Sequence, residues 1–178
     1  EINNLFSSIL PAGFYYKTFM WPAKLWKTYE YFIRKSAGLG VSATQRDPDL
    51  YDHKYYHCEV LIVGSGPAGL IAASIAAKSG KKVLLVDEKP NHGGSLIGSD
   101  SELTSINGVT PKEWIKKTYS DLVSNKNIKI LNRTSVAAYH NYNYLIMMQN
   151  LTDHLNEDGK KNKIRQRLWK VRAKKVIL

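Results

Sequence analysis

Gly64, Gly66 and Gly69 stand at the spacing G-x-G-x-x-G inside EVLIVGSGPAGLIAASIAAKSGKKVLLVDEKPNHGG, residues 59–94. The chemistry this spacing offers is anion binding by the backbone. The first glycine permits a tight turn off a strand, the second lets main chain approach a pyrophosphate, and the third lets a helix lie close against the strand. An anion at that helix start meets unpaired N–H groups and the positive end of the helix macrodipole. Asp87 lies eighteen residues beyond Gly69. A carboxylate there can accept hydrogen bonds from both hydroxyls of an adenosine ribose and would repel a 2′-phosphate. The pattern points to the adenosine half of NAD or FAD rather than NADP, with Glu88 reinforcing that choice and Lys89 softening it. The bland reading is a turn that keeps the fold without the ligand. The surrounding pattern, apolar strand, alanine-rich helix, second strand and acid, favours the ligand.

These residues need elements to position them. The pattern predicts a strand at 58–63, a helix at 66–79 and a second strand at 82–87. Thr110 opens another helix, with Pro111 at its first position, Glu113 completing a capping box, and Trp114, Ile115, Leu122 and Val123 on one face. From 127 onward the apolar period falls to two, predicting strands at 127–131, 134–139, 143–149 and 166–178. Upstream, Trp21, Leu25, Trp26, Tyr29, Phe32 and Ile33 recur at helical spacing behind Pro22, until Gly38 and Gly40 end the pattern. Residues 41–57 are polar and read as a linker. The expected fold class is α/β: a Rossmann-like FAD/NAD(P)-binding domain over 58–178, with a parallel sheet and an antiparallel β-meander insertion. An aromatic-rich helical connector and linker, 1–57, precedes it. The chain begins with Glu1 and ends on the apolar AKKVIL, and is read as an internal fragment, truncated at its C-terminal end.

Composition narrows the classes. The chain has 178 residues, 43% hydrophobic and 23% charged, which is enough apolar matter for a core and far from a disordered composition. The formal charge of +11 invites a nucleic-acid reading. Much of the excess, however, sits in GKKNKIRQRLWKVRAKK (159–175), where apolar residues interrupt the basic ones as in a solvated strand. Cys58 is the one cysteine, so no internal disulfide can form, and a reducing, cytoplasmic setting is expected. No apolar run approaches the ~20 residues of a membrane helix. The sequons at Asn132 and Asn150 therefore carry no weight.

Several other residues admit a functional and a bland reading. His53, His57 and Cys58 have an H-x3-H-C spacing, but no fourth ligand follows and a structural role is favoured. His92 could touch a ligand, and a solvated loop histidine is the preferred reading. Lys17, set among Phe14, Tyr15, Tyr16 and Phe19, could meet a flavin phosphate; a subunit-interface or core-edge place is preferred.

Gly93 and Gly94 follow Asp87 by six and seven residues. Such a pair resembles the early segment of the two-dinucleotide-binding-domain flavoproteins. Longer strings are more specific: LPAGFYYKTFMWP (10–22), YEYFIRKSAGLG (29–40), HNYNY (140–144), LTDHL (151–155) and RQRLWKVRAKKVIL (165–178) closely resemble the α subunits of heterotetrameric sarcosine oxidases. The resemblance implies that the α subunit holds NAD. It implies a partner β subunit carrying FAD, where sarcosine is oxidised to glycine, and FMN at the contact between subunits. It also implies transfer of the one-carbon unit to tetrahydrofolate elsewhere in the complex. Carried over by position, Gly64, Ser65, Gly66, Pro67, Ala68 and Gly69 would face the pyrophosphate, Asp87 and Glu88 the ribose, Gly93, Gly94 and Ser95 the adjoining loop, and the backbone of Val136 and Ala137 the adenine. No residue is assigned a catalytic role and no metal is expected. The alternative is an FAD-binding subunit of a related amine, proline or opine dehydrogenase; a basic nucleic-acid module is the non-enzymatic rival.

Overall fold

In the computed structural model the described residues are 21–41, 43–99 and 105–178. The aromatic stretch around Lys17 and part of the loop after Gly94 lie outside them. The chain divides after Asp47 into two units. In the first, a short 3-10 turn, Ala23–Leu25, leads into α1, Trp26–Ser36. Gly38, at a φ of +67°, ends the helix. Leu39 N–H donates to Arg34 O and Gly38 N–H to Lys35 O, the paired bonds of a Schellman stop. No residue of α1 is buried, and Phe32 and Tyr31 meet edge to face at 5.4 Å.

The second unit is built on one six-stranded sheet in the order β3-β2-β1-β6-β5-β4. Its strands are β1 (Leu50–Val63), β2 (Val83–Val86), β3 (Ile128–Leu131), β4 (Thr134–His140), β5 (Tyr144–Asn150) and β6 (Ile164–Ile177). β1 pairs in parallel with β2 and β6, and β2 with β3. β5 runs antiparallel to both β4 and β6. This is the expected parallel sheet with an antiparallel meander. β6 serves both parts, because one of its edges closes the meander and the other lies along β1.

Two helices cover one face: α2, Pro67–Lys78, and α3, Pro111–Val123. The capping box is formed, with Thr110 Oγ1 accepting from Glu113 N–H and the Glu113 carboxylate accepting from Thr110 N–H. The four residues of β2 are all buried. They alternate, as a strand must: Val83 and Leu85 join Ile62, Leu70, Ala73 and Leu122 beneath the helices. Leu84 and Val86 join Leu61, Leu131, Leu145, Met147, Trp169 and Val171 on the opposite face. A four-residue turn of helix, α4, Glu157–Lys160, precedes β6.

The linker expected over 41–57 is corrected in its second half. β1 begins at Leu50 and pairs with β6 from Leu50↔Ile164 to Ile62↔Ile177. The polar sequence hid this strand because its stability comes from the partner strand and cross-strand pairs rather than from an apolar stripe. Arg167 grips Asp52 with a two-pronged bond at 2.7 and 2.9 Å, and Tyr56 packs edge-on against Trp169. His57 is exposed and Cys58 buried, as alternation demands, so these neighbours point to opposite faces. Among the described residues no group of three His, Cys, Asp or Glu side chains is disposed to hold a metal, and no helix is long and apolar enough to cross a membrane.

Candidate dinucleotide site

The glycine turn forms where β1 ends. Gly64 takes a φ of +99°, and its N–H donates to Val86 O, tying the turn to the end of β2. Gly66 is the extended N-cap of α2 and Pro67 its first residue. Leu70 N–H makes the first intrahelical bond, to Gly66 O. Pro67 has no N–H, so the amides of Ala68 and Gly69 are the ones at the helix start that lack an intrahelical carbonyl. Among the described residues, nothing beyond the chain neighbours lies within 4 Å of where a Cβ on Gly64 or Gly66 would stand, so both positions face open space. Gly69 is the opposite case. Its Cβ would lie 1.9 Å from the carbonyl oxygen of Gly64, which is the close helix-to-strand packing that the third glycine exists to permit.

Asp87, at the end of β2, turns its carboxylate into this corner. One oxygen, Oδ2, accepts from both Ser65 N–H and Ser65 O–H at 2.6 Å, while Oδ1 accepts from Lys89 N–H at 2.8 Å. Burial raises the Asp87 pKa, but the bonds from the Ser65 hydroxyl and the Lys89 and Ser65 amides, with His92 nearby, hold it below the usual 3.8. The carboxylate is ionised at neutral pH. Ser65 is fully buried. Its N–H and O–H are spent on Asp87, and its carbonyl accepts from Gly93 N–H at 2.8 Å. Expected to face the pyrophosphate, Ser65 has its amide and hydroxyl turned to Asp87 and fastens the turn from behind.

His92 is corrected. It is 8% exposed, stacks on Tyr119 of α3 at 4.3 Å, and places Nδ1 2.9 Å from Ser65 Oγ. Burial lowers its pKa from 6.5, against the opposing pull of the Asp87 charge and the Asn132 side chain. The glycine pair packs on the same turn. A Cβ on Gly94 would lie 2.9 Å from Gly66 Cα, and one on Gly93 2.4 Å from Ile115 Cδ1; both glycines have positive φ. The pair thus lets the 90s loop close against the glycine turn. Ser95, next to it, is exposed.

The turn between β3 and β4 completes the corner. Thr134 N–H donates to Asp87 O at 2.7 Å, Arg133 N–H to Lys89 O, and the Asn132 amide to Pro90 O. Val136 follows, half-buried against the core and paired with Met147. Ala137 is exposed at the register irregularity between Val136 and Ala138. Glu88 is exposed on the rim. Sequence reasoning raised His92 but preferred a solvated loop place for it, and did not reach Tyr119, Asn132 or Thr134 as parts of this corner. The one local signal was the position of His92 immediately before the glycine pair. Clefts of about 560 and 300 Å³ flank His92, the first lined by Leu96, Pro111 and Ile115, the second by Tyr119 and Asn132. The polar groups gathered here are the amides at the start of α2, the Asp87 carboxylate and the exposed Glu88.

Residues 59–175 match the model of the family described as FAD dependent oxidoreductase. The sarcosine oxidase subunit alpha of Rhizobium meliloti (strain 1021) is 40% identical over 99% of this chain and 18% of its own length. That of Corynebacterium sp. (strain U-96) is 39% identical over 80% of this chain and 14% of its own. The chain thus spans under a fifth of these relatives. Among solved structures, L-proline dehydrogenase from P. horikoshii shares the fold, with a TM-score of 0.51 at 21% identity over 70% of this chain and 22% of that one. With the family model covering the β1-to-β6 body that frames the glycine corner, the chain belongs to the FAD dependent oxidoreductase family.

Proposed function

We propose that this chain is the dinucleotide-binding part of a sarcosine-oxidase-type α subunit, with NAD seated at the Gly64–Gly69 turn. The observation that carries the reading is the cleared corner. Among the described residues, nothing beyond the chain neighbours stands within 4 Å of where Gly64 and Gly66 would bear side chains, and this space adjoins the amides of Ala68 and Gly69 at the helix start. Those amides take the diphosphate. An ionised carboxylate has roughly four acceptor sites, and three on Asp87 are already used. The remaining one takes a ribose hydroxyl and the exposed Glu88 takes the other. The backbone of Val136 and Ala137 borders the adenine, with Gly94 and Ser95 along the diphosphate.

In this reading the chain binds and assembles rather than reacts. A partner β subunit carries FAD, at which sarcosine loses its methyl group as an oxidised one-carbon unit, and FMN lies at the contact between subunits. Tetrahydrofolate accepts the carbon in another part of the complex. A reducing compartment such as the cytoplasm suits a chain whose single cysteine, Cys58, is buried.

A second reading, FAD in this same corner, is favoured by the family match over 59–175, since the adenosine diphosphate half is common to both ligands. Purifying the full-length subunit without its partner, denaturing it and weighing the released nucleotide separates the two. NAD without flavin absorbance is expected. One FAD per subunit replaces NAD with the second reading, and a subunit that neither carries nor takes up a dinucleotide overturns both.

A further inference from the structure

Ser65 Oγ lies between Asp87 Oδ2 at 2.6 Å and His92 Nδ1 at 2.9 Å, and it has one proton to give. The ionised Asp87 carboxylate can only accept, so the hydroxyl proton lies on the Asp87 side. Nδ1 must then carry its own. We infer that His92 is a positioning residue of the dinucleotide site, held as the Nδ1–H tautomer, donating to Ser65 and through it fixing the Asp87 carboxylate against the glycine turn. The inference rests on the dinucleotide reading above and deepens it.

One further observation points the same way. The stack on Tyr119, with 21° between the rings, fixes the ring plane, so Nδ1 has one direction in which to donate. The Asp87 rotamer is therefore set before any nucleotide arrives, and binding need not spend free energy ordering it.

Packing and positioning predict opposite rank orders for two variants. His92→Phe keeps an aromatic ring for Tyr119 and removes the donor; His92→Asn loses the ring and keeps an N–H near the place of Nδ1. In the nucleotide-stripped full-length subunit, titrated with NAD and separately with FAD, we expect His92→Phe to raise Kd about tenfold, in keeping with loss of a bond in a charged network. Ser65→Ala should match it, His92→Asn should stay within about twofold, and the Ser65→Ala/His92→Phe pair should be no worse than Ser65→Ala, as members of one chain behave. Wild-type affinity in His92→Phe, or a larger loss in His92→Asn than in His92→Phe, overturns the inference while leaving the dinucleotide reading intact. If His92→Phe fails to fold, wild-type affinity in Ser65→Ala overturns it alone. Wild-type protein that binds neither NAD nor FAD removes the dinucleotide reading, and this inference with it.

Discussion

Both polar hydrogens of Ser65, its amide and its hydroxyl, close on a single oxygen of Asp87 at 2.6 Å across twenty-two residues of sequence. The bond pair joins the end of β2 to the turn after β1, so the acid is part of the turn's own architecture. Replacing Asp87 with Asn puts an NH2 against a donor whichever way the amide faces, because Ser65 N–H and Lys89 N–H lie on opposite oxygens. A buried mismatch of this kind costs about 1–3 kcal/mol. Asp87→Asn should both lower the melting temperature of the full-length protein and abolish nucleotide retention, whereas Glu88→Gln, on the exposed rim, should weaken retention with no change in melting.

Acid should open this corner in a defined order. The folded pKa of His92 lies below its usual 6.5 and that of Asp87 below its usual 3.8. The unfolded segment therefore binds more protons than the folded one, first as pH falls below about 6.5 and again below about 3.8. Stability from His92 is complete above the first value and is lost as pH falls toward its folded pKa; that from Asp87 persists to lower pH. Hydrogen exchange of the amides at 64–66 and 93, followed by mass spectrometry between pH 8 and 5 and corrected for intrinsic rates, should show declining protection in the wild type. His92→Asn should flatten that decline. Protection that rises with acid over this range would contradict the sign of the His92 shift.

Gly69 tests packing rather than chemistry. A methyl at this position would sit 1.9 Å from the Gly64 carbonyl oxygen, which is backbone and part of the turn. α2 must then move away from β1, displacing Ala68 N–H with it. Gly69→Ala should cost about 1–3 kcal/mol as an overpacked contact and raise the dinucleotide Kd. Gly80→Ala, with a φ of +72° but open space around it, should strain only its own turn after α2 and leave the Kd unchanged. Paired melting and binding curves distinguish the two.

Much of this was legible in the sequence for a physical reason. β2, α2 and α3 declare themselves because their neighbours in sequence decide their burial: VLLV is buried throughout, and Thr110, Pro111 and Glu113 cap α3 locally. Gly64 and Gly69 were readable because their demands are local, a φ of +99° at the one and a Cβ that would meet the Gly64 carbonyl oxygen at the other. The first half of β1 was not, since its partner β6 lies more than a hundred residues away and its stripe is Tyr51, His53, Tyr55 and His57 rather than apolar. The burial of His92 escaped for the same reason. Nothing in PNHGG reveals that Ser65 and Tyr119, both distant in sequence, will enclose it.

Cys58 offers a check on the sheet itself. It lies in the core face with Leu61, Trp169 and Ala173, 6% exposed. Burial pushes its thiol up to about 11, against the opposing charge of Lys82. At pH 8 about one molecule in a thousand would then present a thiolate, and access is closed as well. In the native full-length protein Cys58 should resist iodoacetamide over hours, with peptide mapping as the readout. It should react within minutes once the sheet is opened with guanidinium. Rapid native alkylation at this one position would mean that β1 and β6 do not pair through the Cys58↔Ala173 register, and the frame that carries Asp87 to the glycine turn would have to be redrawn.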